Sequence, residues 1–535
     1  MDTVVASRRE SLLARCCTSF KSRSVRSAIV GSGAALALLL TSCSGGAAGP
    51  SNLTGNPQSG GTLTYSFNTD AQSVDPATCA IGIGLGPCQA VFGALMYYDP
   101  ETDEFEPGMA ESFSSEDGRV WTLKLRPALT FTDGTPFDAQ AVDFNWLRLL
   151  DPQLLSPSAA VAKSITWEVV DSASIRVTSA EVNYQLPFAM SEVLAFVGSP
   201  TAIQEKGADF GGAPVGAGPF TMASWARGTE MVLNRNPTYW DQPRPYVDKL
   251  VVKTIPADDQ RYNALQAGEI NVMSVTFDKY VTRARSAGMN IVETPQLGGS
   301  GFRMSSNGAL SDPDVRTAIA KLVDGEQLIA AVYPGEPVAD TFAPESSPFY
   351  DPEARWLDQD VEGAQKLIDA YRARNNDKEV VVSFITTAGS PLLNQQAELL
   401  QAQLQRVNGL QLDIQPLDGA AFAAALTSGK YELILSALGG AHPENLYKVF
   451  HTNGASNTAG YSNSTVDAAL DVTHNSDDPP TVNEAYKTAI RELVNTTAYR
   501  FWRPAISRLI TTGSIQGVQS AYQYWFRPEL AWVEQ

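Results

Sequence analysis

The amino-terminal segment ending at Cys43 decides the compartment in which the rest of this 535-residue chain folds. Arg8, Arg9, Arg15, Lys21, Arg23 and Arg26 stand there against only Asp2 and Glu10, and an apolar run follows at residues 28–40. A basic stretch followed by a short apolar core is the pattern of a secretory signal. The run is too short and too rich in Gly and Ser for a spanning helix, which needs ~20 apolar residues. The chain as a whole is acidic, with a net charge of -19 and a pI near 4.7. Nucleic acid needs a basic surface, so it is excluded as a partner. Anionic lipid repels an acidic body, so membrane attachment needs a device other than charge. Hydrophobic residues make up 44% and charged residues 18%, which suits packed cores and not a disordered chain. At roughly 100–200 residues per domain, the length predicts two to four compact units.

Leu40-Thr41-Ser42-Cys43 resembles the lipobox of bacterial lipoproteins. The resemblance implies that residues 1–42 are a signal peptide and that Cys43 is acylated and becomes the first mature residue. Residues 43–61, rich in Gly, Ser, Asn and Pro, are expected to form a flexible tether. Arg8-Arg9 lies far from the apolar core, and both the general secretory and the twin-arginine routes stay open. Cys16 and Cys17 leave with the signal, so Cys79 and Cys88 are the cysteines expected in the folded body. Export places them in an oxidising compartment, where two cysteines this close in sequence are expected to pair. The loop between them holds three glycines and Pro87 and can turn back on itself. A redox pair or half a metal site lacks support, because there is no CxxC and only three histidines, His442, His451 and His474.

Periodicity in the body predicts a mixed α/β chain. Residues 61–67 and 120–125 alternate as strands do, and 250–255 and 379–385 are further strands, the last expected to be covered on both faces. Ser390 and Pro391 have the chemistry of a helix start, with Leu399, Leu400 and Leu404 following. Residues 314–328 predict one helix, with Val315, Ile319 and Leu322 on one face.

Four motifs follow in order. The first is Trp121-Thr122-Leu123-Lys124-Leu125-Arg126 with Phe131-Thr132-Asp133-Gly134-Thr135-Pro136, Ala139 and Asp143-Phe144. The second runs from Pro214-Val215-Gly216-Ala217-Gly218-Pro219-Phe220 through Trp225 to Leu233-Asn234-Arg235-Asn236-Pro237-Thr238-Tyr239-Trp240. Then come Ala264-Leu265-Gln266-Ala267-Gly268-Glu269-Ile270-Asn271 and Asp314-Val315-Arg316-Thr317-Ala318-Ile319-Ala320 with Asp324. Together they resemble the large peptide/nickel-type group of ABC-importer solute-binding proteins, the bacterial extracellular solute-binding family 5. Most of these residues have structural work of their own, such as the Asp133–Pro136 turn, so they mark the family without forming its site.

The resemblance implies an α/β, two-lobed periplasmic-binding-protein-like fold with a hinged ligand cleft and an extra subdomain. Residues 62–97, 206–303 and 512–535 are expected in the first lobe, 98–205 in the subdomain and 304–511 in the second lobe. It further implies a monomeric, lipid-anchored, extracytoplasmic protein without cofactor or metal, delivering peptides or a peptide-like solute to ABC permease subunits. The alternatives it leaves are a ligand-sensing lipoprotein of the same fold, or a binder of a metal chelate, sugar or haem-like compound. Neighbouring genes for permeases and ATPases discriminate importer from sensor.

In this family peptide binders place an Asp after a late strand to pair with the ligand's amino terminus. Here Ala441 stands at that position and Leu438 where an aromatic residue is usual. The departure implies weak binding of small peptides held only by a free amine, unless Asp70 or Glu444 substitutes. Gly439, Gly440 and His442 share that loop. Further cleft candidates are Phe67, Asn68 and Thr69 after the first strand, Phe302, Met304 and Asn307 at the expected hinge, and Thr386 ending a strand. Trp502 and Arg503 lie near the return hinge, where Arg503 suits either a ligand carboxylate or an interface ion pair. The Cys79–Cys88 loop is expected to rim the cleft. No GxSxG, HExxH or Walker loop is present, and nothing singles out a carboxylate pair for glycoside hydrolysis, so no enzyme is expected.

Overall fold

The computed structural model describes residues 56–79, 84–522 and 524–534. The signal segment, Cys43 and most of the tether lie outside the described residues. Ten strands form one sheet in the order Leu410–Leu417, Val380–Thr387, Leu433–Gly440, Asn290–Met304, Tyr499–Thr511, Val272–Ser274, Thr62–Phe67, Lys249–Thr254, Glu230–Arg235 and Phe220–Ala226. The two long strands, Asn290–Met304 and Tyr499–Thr511, pair antiparallel at its middle and serve both ends. Near Ile510 the second of them adjoins Val272–Ser274, which pairs with Thr62–Phe67. From Leu297 onward the first pairs also, on its other edge, with Leu433–Gly440. Register breaks between Pro295 and Gly299 and again between Ser300 and Gly301. Gly298 takes φ +84 at that break, a conformation that costs glycine little and other residues much.

Each half has its own core. Leu63, Tyr65, Phe92, Leu233 and Leu250 pack together on the first half, and Phe302, Ile319, Phe384, Leu400 and Trp502 on the second. A separate antiparallel sheet, in the order Ala110–Ser115, Val120–Leu125, Ser174–Ser179, Ile165–Asp171, is backed by the helix Ala139–Leu149. Asp138 caps that helix by accepting the Ala141 N–H at 3.0 Å. Ser390 caps the helix Pro391–Leu404, with proline in its first turn.

Two local expectations change. Residues 314–328 form two helices, Pro313–Leu322 and Gly325–Val332, because Val323 is extended and Asp324 caps the second by accepting the Gln327 N–H. The strand Val380–Thr387 is not covered on both faces at its start, where Val381 is 50% exposed at the sheet's margin.

Candidate ligand-binding site

Thr62–Phe67 runs in the direction of the long strand Asn290–Met304, where Ser66 is level with Ile291, and Leu433–Gly440 runs against it and ends at Leu297. Phe67 and Gly440 therefore end strands that approach each other from the two halves of the sheet, and residues following both face one cavity of about 460 Å³. That volume lies within the ~300–1,000 Å³ usual for ligand pockets. The helix Leu85–Phe92 adds Leu85, Gly86, Pro87 and Gln89, so the segment bridged by Cys79 and Cys88 does border the cavity. The disulfide is formed, with Cα atoms 6.5 Å apart. Phe188, Ser191 and Glu192 come from the helix Leu186–Ser191 and the residue after it. Tyr98, Tyr524 and Trp525 make much of the remaining wall aromatic.

His442 shows how the two halves meet. Its ring stacks on Phe188 at 4.3 Å and stands edge-on to Tyr98 at 4.9 Å. Nearby, the Tyr184 N–H donates to the His474 carbonyl at 2.9 Å, and Gln185 Nε2 to the Thr473 carbonyl at 3.0 Å. Nδ1 of His442 accepts the Glu444 N–H at 3.1 Å, which puts the proton of the neutral ring on Nε2. Burial, and secondarily Lys448, pull its pKa down to about 3. The unfolded ring protonates near pH 6.5, so the unfolded state binds more protons below that value. Stability should therefore fall as pH drops below about 6.5 and keep falling towards the folded pKa of about 3. Denaturant titrations should show a shallower fall for His442→Phe between about pH 6.5 and 5.5, where carboxylates of ordinary pKa stay ionised. Equal slopes in the two proteins would remove His442 as the cause.

Charges on the wall are mostly committed. Asp70 accepts Trp225 Nε1 at 3.0 Å and the Gly228 N–H at 2.9 Å. Arg527 is paired with Glu529 at 2.7 Å and Glu106 at 2.6 Å. Glu192 has no side-chain partner of this kind among the described residues, and burial pushes its carboxyl pKa up, with Lys448 opposing.

Of the residues singled out from the sequence, Phe67, Asn68, Thr69, Gly439, Gly440 and His442 line this cavity, as do Asp70 and Ala441. The others do not. Phe302 and Trp502 are fully buried in the second core, ring centres 5.9 Å apart, and Met304 joins them two residues along on the same strand face. Met304 pairs with Leu433, seven residues from Gly440, so it lies about 23 Å along the strand from the cavity end. Asn307 is beyond it and donates to the carbonyls of Gly429 at 2.9 Å and Tyr431 at 3.0 Å. Thr386 is buried at the register position of Pro416, away from the cavity wall. Leu438 faces a second, small cavity of about 40 Å³ with Arg503. Arg503 is tied to Glu336 at 2.9 Å and is no free partner for a carboxylate. Glu444 is likewise committed, to His474 Nε2 at 2.9 Å.

Sequence reasoning missed Glu192, Phe188, Tyr98, Gln89 and Trp525. One signal was available for Glu192: it and Ser191 are the only polar residues within the apolar run 186–197.

A sheet divided by two through-running strands, with a cavity where its halves meet, defines a two-lobed binding protein. The chain matches the family model "Bacterial extracellular solute-binding proteins, family 5 Middle" over residues 104–460, and it belongs to that family. It is 24% identical to Protein XP55 of Streptomyces lividans over 491 residues, covering 85% of this chain and 86% of that one. It is 23% identical to the glutathione-binding protein GsiB of Shigella flexneri over 458 residues, covering 80% of this chain and 86% of that one. Among solved structures, the periplasmic binding protein DppA of Helicobacter pylori in complex with peptide STSA superposes with a TM-score of 0.76 at 22% identity, covering 89% of this chain and 99% of that one. No helix among the described residues is long and apolar enough to cross a membrane.

Proposed function

We propose that the protein captures a peptide or peptide-like solute in this cavity, outside the cytoplasmic membrane, and delivers it to the permease of an ATP-driven importer. The observation that carries the reading is the cavity itself: about 460 Å³, aromatic-walled, and bordered by residues from both halves of the sheet. Relatives named for glutathione and solved with a peptide support the ligand class. We take residues 62–97, 206–303 and 512–535 as one lobe, 98–205 as its subdomain and 304–511 as the other lobe. A ligand touching both lobes stabilises the closed arrangement by its differential affinity for it. The permease then reads a closed, monomeric, loaded protein. Native mass spectrometry of protein purified from its own host tests the ligand class. A co-purifying peptide or amide-linked small molecule is expected; a sugar, haem-like compound or metal chelate would overturn it.

The same reading places the protein on a lipid anchor at Cys43. One acyl chain holds a protein only marginally, so stable attachment needs more than one. Cys43→Ala should release the protein to the medium or leave it unprocessed. A variant that is processed and still membrane-bound would rule the anchor out.

A further inference from the structure

Two carboxylates stand on the cavity wall, Asp70 and Glu192. Asp70 is held by Trp225 and Gly228. From the cavity position of Glu192, its lack of a hydrogen-bonded or ion-paired partner among the described residues, and the aromatic rings that line the same cavity, we infer that Glu192 is the counter-ion for a ligand ammonium group. For a peptide that group is the free amino terminus. The assignment rests on the peptide reading given above and adds to it which end of the ligand is recognised, and by what.

Three observations converge. Glu192 is half-buried on the cavity wall; desolvating a carboxylate is costly without a compensating cation, and its shift towards the neutral form reflects that cost. Lys448, the cation that acts on it, does not pair with it; its Nζ lies over the Phe188 ring, 4.6 Å from the centre. A second acceptor is also in place: Gln89 is 1% exposed, lines the same cavity, and its Oε1 has no hydrogen-bond partner. An ammonium brings three donors, and the faces of nearby aromatic rings attract a cation. Ala441, also on the wall, supplies no charge. The anion therefore comes from the end of the helix Leu186–Ser191 and not from the loop after the strand Leu433–Gly440.

Calorimetry with one tripeptide in free-amine and N-acetylated forms, on the wild type and on Glu192→Gln, tests this. Removing one member of a desolvated charge pair costs enough that the wild type should prefer the free amine by about 100-fold or more. Glu192→Gln should abolish that preference, so that the two forms bind it alike, and a urea-unfolding midpoint near that of the wild type shows that the variant is folded. Equal affinity of the wild type for both forms, or equal weakening of both by Glu192→Gln, would overturn the assignment and leave the peptide reading standing. Binding of neither form by the wild type would overturn the peptide reading, and this assignment with it.

Discussion

Replacing Glu336 by alanine should cost about 3–5 kcal/mol of stability, because removing the shared partner leaves buried charges uncompensated. The Glu336 side chain is 2% exposed and accepts from Arg503 at 2.9 Å and Arg508 at 3.0 Å. Both arginines belong to Tyr499–Thr511, one of the two strands shared by the halves of the sheet. Glu336 also accepts the Asp278 N–H at 2.9 Å, joining the start of the helix Asp278–Ser286 to the same point. Arg508 retains Glu293 at 3.1 Å, but Arg503 has no other carboxylate partner among the described residues. Replacing Arg503 by Met should therefore cost less than Glu336→Ala, since Glu336 keeps Arg508. The midpoint of urea unfolding at neutral pH checks the order. Equal midpoints for Glu336→Ala and the wild type would show that this network contributes specificity and not stability.

The second large effect is expected at Gly86→Ala. On helix propensity alone this change stabilises, by up to ~1 kcal/mol. The added methyl would overlap the ring of Trp525, however, striking Cδ2, Cε2 and Cε3. Trp525 is 6% exposed and packs edge-on to Tyr65 at 4.9 Å, so the ring has little room to retreat except into the cavity it lines. Overpacking of that kind costs ~1–3 kcal/mol and outweighs the propensity gain. Ligand affinity should fall about tenfold or more, with a shift in tryptophan emission. Unchanged affinity would mean that this wall of the cavity takes no part in binding.

How much of this was legible in the sequence differs between fold and site. The strands Val120–Leu125 and Val380–Thr387 and the helix Pro391–Leu404 follow from alternation and capping, which are local signals. The family resemblance rests on motifs that build turns and close packing, and it carried over to the architecture. Site residues fared unevenly because a strand alternates its faces. Phe67 and the 439–442 loop lie where strands end, and chain direction places them. Phe302 and Met304 lie at the expected hinge and Trp502 near the return hinge, but their side chains point to the core face of the sheet. Arg503 is absorbed by Glu336, a partner 167 residues away that no local pattern announces. The expectation that free-amine peptides bind weakly came from position 441 alone. Glu192 reaches the same cavity from a helix some 250 residues earlier in the chain, a juxtaposition that only the folded structure creates.

A crystal structure of the protein purified from its own host, with whatever ligand it carries, tests the central claim most directly. The account predicts ligand density in the cavity between Phe67–Asp70 and Gly439–His442, with a cationic group at hydrogen-bonding distance from Glu192. A ligand seated elsewhere, or one that fills this cavity with no peptide-like group, would contradict it.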